Sequence, residues 1–423
     1  MQQLNRQKAP ESTKINAFNL PPCEIHHSKG GIPIYSYPAL VEQVLRIEFV
    51  FDAGINKQSQ RALASASNAL LTEGTSSSNA KAIADNLDYF GSYVQSRCTV
   101  DDAQLTLYCL KKHATKCLSI VEDVIKNAQY FENELDIFVK NNKQRLKVQQ
   151  KKTSYLCRRA FYEEIFGMES PIASFSNSND YDNISRETLL DFHKTNYQTS
   201  IKYITVCGNV DAELINTIIA FASGFTVKNN KPSYKSNQVL AKSKYVKKEN
   251  SAQATVRIGR KLFNRKHEKY RKTQLANMIL GGYFGSRLMK NIREDKGLTY
   301  GIYSVLESYY DDGGFYIEAD VNAQKSEIAL KEIKHELQKL CTDPVSEKEL
   351  NQAKNYFIGS LLRSIDGPFS IMDRNRIIID YEHSMNYYNE FFDIINSTNG
   401  NEIRDIFVEY FEPEKLVEVV CGP

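Results

Sequence analysis

SRLMKNIREDKGLTYGIYSVLESYYDDGGFYIEADV, residues 286–321, changes its hydrophobic period halfway along. SRLMKNIREDKG reads as a helix that stops at Gly297, and LTYGIYSVLESYY reads as a strand. DDGGFYIEADV then places Phe315, Ile317, Ala319 and Val321 on one strand face. Beyond it, KSEIALKEIKHELQKL (325–340) sets Leu330, Ile333, Leu337 and Leu340 on one helix stripe. The same order occurs earlier in the chain. NAKAIADNLDYFG (79–91) reads as a helix ending at Gly91, and DDAQLTLYCL (101–110) as a strand with Leu105, Leu107 and Cys109 on one face. HATKCLSIVEDVIKN (113–127) follows as a helix with Leu118, Val121 and Ile125 on its stripe. Both halves close on an apolar strand ending in Cys-Gly, YITVCGN (203–209) and LVEVVCGP (416–423). The offset is 206 residues at Gly91/Gly297, 210 at Leu105/Phe315 and 214 at Cys207/Cys421, a drift that short loop insertions produce. Four matches in one order indicate a duplicated domain. The fold expected is α+β: two similar halves, each a mainly antiparallel sheet with helices on one face.

Length agrees, since 423 residues suit two domains of about 200 residues each. Between Lys228 and Lys248 the chain carries seven Lys, no acid, and the breakers Asn229, Asn230 and Pro232. It reads as a solvated connector. The expected division is a domain over 1–227, a linker over 228–250, and a second domain over 251–423 with ATVRIG as its first strand.

Lys plus Arg is 54 against 51 Asp plus Glu, and 42% of residues are hydrophobic, the balance of a folded protein rather than a dedicated polyanion binder. No apolar run approaches the 18 or more residues of a membrane helix. The polar start, MQQLNRQKAPESTKINAFN, lacks the apolar stretch of a secretory signal. The location expected is the cytoplasm, or the periplasm or another compartment if a signal has been removed. Eight cysteines without a CxxC pair read as reduced, packed thiols, with a Cys98–Cys109 disulfide as the alternative.

Arg293 and Tyr300 stand seven residues apart around Gly297, in GGYFGSRLMKNIREDKGLTYGIYS (281–304). A cation in a last helical turn complements the helix dipole, and Tyr is a good strand residue. The same turn also brings a fixed cation and a phenol towards one point, a pair suited to a peptide carbonyl or the oxyanion formed from it.

This whole segment resembles the C-terminal-domain motif of the pitrilysin/insulinase family of zinc peptidases, which includes the mitochondrial processing peptidases. The resemblance extends through LRIEFVFDAGI (45–55), the Gly74-Thr75 of LLTEGTSS, DYFGSYV (88–94) and ITVCGNVD (204–211). It implies that Arg293 and Tyr300 bind the substrate backbone beside the scissile bond. Active members carry His-x-x-Glu-His on a helix shortly before that Gly-Thr, with a distant Glu as third zinc ligand. Here the motif positions fall on Ser65, Asn68 and Ala69, and the third ligand near Gln144 to Leu146, inside a stretch from Ile137 to Tyr162 without one acidic residue. Ala69 has no donor atom, Ser65 is a poor ligand beside imidazole, and Asn68 cannot take up a proton as Glu does. The duplicated positions, Arg271, Gln274 and Leu275, offer no replacement. Nor do the seven His form a ligand pair, His26-His27 reading as adjacent surface residues in a loop. Conversely, the first-half counterparts of Arg293 and Tyr300 are Leu87 and Val94.

Heterodimeric members of that family divide the work this way. The reading is a non-catalytic, substrate-binding subunit, inactive alone and binding no cofactor itself. Its partner would be a zinc-bearing subunit with His-x-x-Glu-His, and its substrates peptides. Homodimerisation in isolation stays open. A purely structural scaffold is the alternative. Nucleic-acid binding through the basic stretches 140–159 and 228–272 is disfavoured by the near-neutral charge and the lack of a module motif.

Overall fold

The computed structural model describes residues 20–39, 43–227 and 243–423. Thirteen strands are seen among them: β1 (Glu24–His27), β2 (Pro33–Pro38), β3 (Val44–Phe51), β4 (Tyr93–Cys98), β5 (Ala103–Leu110), β6 (Ser200–Ile201), β7 (Tyr203–Gly208), β8 (Thr226–Val227), β9 (Lys244–Lys247), β10 (Gln253–Leu262), β11 (Thr299–Ser308), β12 (Gly313–Asn322) and β13 (Val417–Gly422). One sheet runs β1-β2-β7-β3-β5-β4 and the other β11-β12-β10-β13-β9, while β6 and β8 pair separately. Neighbours in the two large sheets are antiparallel except β2 with β7 and β9 with β13. Strand by strand, β9, β10, β11, β12 and β13 therefore repeat β2, β3, β4, β5 and β7. The fold is α+β with two like halves.

The apolar positions read from the sequence are buried, with alternation on β12 and with Gln104 and Thr106 between them buried too on β5. Leu105 and Leu107 on β5, and Phe315 and Ile317 on β12, are fully buried. In the first half, helices α1 (Leu63–Leu70), α2 (Ala80–Tyr89) and α3 (Ala114–Asn127) lie in one apolar cluster with the sheet, and Leu118, Val121 and Ile125 form α3's buried stripe. In the second half the equivalent stripe, on Ser326–Thr342, buries Ile333, Leu337 and Leu340, with Leu330 packed at its margin.

Each sheet's other face receives a helix from the opposite half. Helix α4 (Glu132–Gln149) is followed by α5 (Thr153–Phe166), which crosses to β10 and β13. There the buried Cys157 thiol donates to Val419 O (3.3 Å), and Phe161 packs edge-on against Tyr316. The helix Pro368–Asp380 of the second half packs on β2 and β7 of the first, with Met372 between Tyr37 and Cys207. Three carboxylates converge on Arg376 of that helix: Asp102 at 2.7 Å, Asp380 at 3.0 Å and Glu48 at 3.4 Å. The Tyr310 hydroxyl, from the β11–β12 turn, lies 2.9 Å from Asp102 and 2.8 Å from Asp380.

Three sequence expectations need correcting. Residues 228–242 of the expected linker lie outside the described residues, but Lys244–Lys247 is β9, so the second sheet begins before 251. An edge strand with exposed Lys244, Tyr245 and Lys247 has no apolar alternation to betray it. His26 and His27 lie at the surface, but on edge strand β1 rather than in a loop. All eight cysteines are free thiols, so the Cys98–Cys109 alternative falls.

Candidate functional site

The corner at Gly297 is built from three local features. Met289–Asp295 winds as a π-helix, and at its end Lys296 N–H reaches Asn291 O at 3.1 Å. The turn is one residue wider than an α-helical one, and Arg293 lies in it. Gly297 then adopts φ +57°, the left-handed region that the absence of a Cβ makes easy. Gly91 ends the counterpart helix with φ +61°. Third, the β11–β12 register slips between Thr299 (opposite Val321) and Ile302 (opposite Ala319). Tyr300 and Gly301 together oppose only Asp320, forming a β-bulge at the edge of the sheet.

The bulge turns Tyr300 outward, and the residue is 96% exposed. Thr299 braces it: its hydroxyl lies 2.6 Å from Asp320 O and accepts the Gly301 N–H at 3.2 Å. Arg293 carries no ion pair among the described residues, and its guanidinium lies over the ring of Phe284 at 4.6 Å. Arg293 and Tyr300 line one open hollow of 640 Å³, with Gln253, Thr299 and Asp320 on its walls. The structure thus brings together the two residues singled out in the sequence and leaves both polar groups unengaged. An unpaired guanidinium and a free phenol on one rim can each donate to carbonyl oxygens of an extended chain. Phe284 and Thr299 were missed. An exposed aromatic nine residues before an Arg carries no signal, and a bulge depends on register rather than composition.

The first half holds the reverse arrangement. At the same corner Leu87 is buried and Val94 packs at the margin of the apolar cluster, so no polar group is presented. On α1 the Ser65 hydroxyl donates to Ala62 O of its own turn at 2.9 Å. Asn68 is buried, and its amide donates to Gln104 O at 3.3 Å. Ala69 has no donor atom. Helix α4 does pack on α1, but at the place expected for the third ligand it carries exposed Gln144 and Arg145 followed by buried Leu146. Lys143 of α4 pairs with Asp182 at 2.7 Å. These side chains do not fit a zinc ion, which needs three or four nitrogen, sulfur or carboxylate donors. Among the described residues no three His, Cys, Asp or Glu side chains converge as a metal-binding group. In the second half Arg271 pairs with Glu390 at 2.9 Å and Leu275 is fully buried. Gly74, after the motif position, has φ +142°, and a Cβ there would lie 2.6 Å from the Phe131 ring.

Two like halves, one with an open hollow lined by Arg293 and Tyr300 and the other with a donor-poor helix at Leu63–Leu70, define a duplicated α+β protein. Residues 183–357 match the family described as the peptidase M16 inactive domain, in line with the resemblance read from the sequence. An uncharacterized zinc protease of Bacillus subtilis is 26% identical over 319 residues, covering 72% of this chain and 74% of that one. A Helicobacter pylori protein described as a non-peptidase homolog is 22% identical over 346 residues, covering 80% and 79%. Among solved structures, a peptidase M16 inactive domain from Pseudomonas fluorescens superposes with a TM-score of 0.83 at 20% identity, covering 95% of this chain and 98% of that chain. A protease from Helicobacter pylori gives 0.83 at 15% identity, covering 96% and 100%. These two likenesses bear on the fold.

Proposed function

We propose that this chain is the non-catalytic, substrate-binding subunit of a heterodimeric processing-peptidase-like enzyme. The observation that carries the reading is the hollow where Arg293 and Tyr300, both unengaged, meet beside a braced bulge, while the first half lacks that pair and its motif positions lack zinc donors. Arg293 would hold a main-chain carbonyl of an extended peptide. Tyr300 would donate to the oxygen of the reacting carbonyl as it gains charge, a contact worth more in the transition state than before it. The partner subunit, bearing His-x-x-Glu-His, would supply the zinc and its activated water. The cytoplasm is the proposed location, and no helix among the described residues is long and apolar enough to cross a membrane.

The test is reconstitution. The purified chain is expected to hydrolyse no peptide alone and to be required for hydrolysis when a zinc-bearing partner is added. In that complex Tyr300→Phe removes one donor and is expected to slow turnover by about 10²–10³-fold, with an unchanged unfolding midpoint. Wild-type turnover in the variant would refute the role of Tyr300. Full activity of the partner without this chain would favour the scaffold reading, which the relative described as a non-peptidase homolog supports.

A further inference from the structure

We infer that Thr299 is a positioning residue whose hydroxyl fixes the bulge that holds Tyr300 in the hollow, an inference that rests on the clamp reading above. A β-bulge gives one strand a residue without a ladder partner, and the opposite strand loses an N–H for one of its carbonyls. Here that carbonyl is Asp320 O, and the Thr299 hydroxyl supplies the missing donor at 2.6 Å. The Thr299 hydroxyl oxygen in turn accepts the Gly301 N–H at 3.2 Å, so one side chain engages a polar group on each strand at the slip. Without it the two backbone groups must find water, or the strand must slip into regular register. A one-residue shift of register turns a side chain to the opposite sheet face. Tyr300 would then leave the rim that it shares with Arg293. Nothing else fastens it, since at 96% exposure it has no hydrogen-bond partner among the described residues. Thr299→Ser keeps the hydroxyl, and Thr299→Val keeps the shape without it.

Two measurements on the full chain test this. Selective ¹⁵N-glycine labelling yields at most 20 glycine amide signals, among which Gly301 is identified by its loss in Gly301→Ala. In Thr299→Val the Gly301 amide is expected to exchange about tenfold faster than in the wild type, as loss of a hydrogen bond of ordinary strength predicts, and in Thr299→Ser at the wild-type rate. Because the clamp addresses main chain, the binding probe is a fluorescein-labelled pool of random-sequence 20-residue peptides, followed by anisotropy. Thr299→Val is expected to weaken binding about tenfold, as Tyr300→Ala does, and Thr299→Ser to restore it. Weakened binding in Arg293→Ala with normal binding and a protected Gly301 amide in Thr299→Val would overturn this inference and leave the clamp reading intact. Equal binding by wild type, Arg293→Ala and Tyr300→Ala would remove the clamp reading and this inference with it.

Discussion

Phe284 and Arg293 show how a single side chain is made ready for a ligand it has not yet met. A free guanidinium on a flexible stem loses rotamer entropy when it binds, up to about 2 kcal/mol. Lying 4.6 Å over the Phe284 ring, Arg293 gives up part of that freedom beforehand and keeps its donors clear of carboxylates. Phe284 is itself 60% exposed, so its replacement costs the fold little. Phe284→Leu removes an interaction worth about 0.5–1 kcal/mol at an exposed site. The random-peptide pool is therefore expected to bind roughly two- to fivefold more weakly to that variant, with an unchanged unfolding midpoint. Unchanged anisotropy curves would show that the ring plays no part in orienting the guanidinium. Asn68 is the opposite case: its amide is already engaged with Gln104 O and shut from solvent, so the side chain serves packing.

At the scale of elements, the parts written in local periodicity were legible and the parts decided by long-range pairing were not. The period-2 runs on β5 and β12 and the 3.6-period stripes on α3 and Ser326–Thr342 fixed what each segment is and which residues face the apolar core, though not that Gln104 and Thr106 on the other face of β5 are covered as well. The pairing of Arg293 with Tyr300 was legible because seven residues and one glycine bound the turn between them. The bulge at Tyr300-Gly301 was not, since a register slip leaves no mark on composition. Nor was the exchange of α5 and Pro368–Asp380 between halves, because an amphipathic stripe says that a face is buried but not against which partner. The exchange itself is open to test at Phe161, which belongs to the first half by sequence but packs with Tyr316 and near Arg257 of the second. Phe161→Ala deletes a fully buried ring and is expected to cost about 3–5 kcal/mol in urea unfolding. The accompanying rise in amide exchange should appear in β10 and β13, the strands α5 covers. A rise confined to first-half amides would contradict the exchange.

For the whole molecule, the joint between halves combines apolar packing with a buried charge cluster at Arg376, and the balance of that cluster sets a pH signature. Burial is the largest single influence on the Asp102 carboxyl and would raise it, but Arg376 at 2.7 Å, the Gln104 amide, Lys202 and Tyr310 together outweigh it, so the group lies below its ordinary value. A carboxyl whose folded pKa is depressed contributes stability that is fully present above the unfolded value, about 3.9, and lost as pH falls through the folded one. The wild-type joint should thus weaken only below about pH 4. Arg376→Met removes the cation and leaves Asp102, Asp380 and Glu48 facing one another, with Lys202 and Arg46 the remaining nearby cations. Breaking a buried pair on one side costs about 3–5 kcal/mol, and the first effect of the substitution is a loss of that order in urea unfolding at pH 7. The second concerns direction. Without the guanidinium, burial dominates and the folded pKa of Asp102 moves above the unfolded one. Its contribution then disappears as pH rises through that interval, so the variant's deficit should shrink as pH is lowered from 7 towards 4. Urea midpoints of wild type and variant at pH 7 and pH 4.5 decide the matter. A deficit equal at both values would mean that Arg376 acts through its packed stem on β2 and β7 and not through its charge.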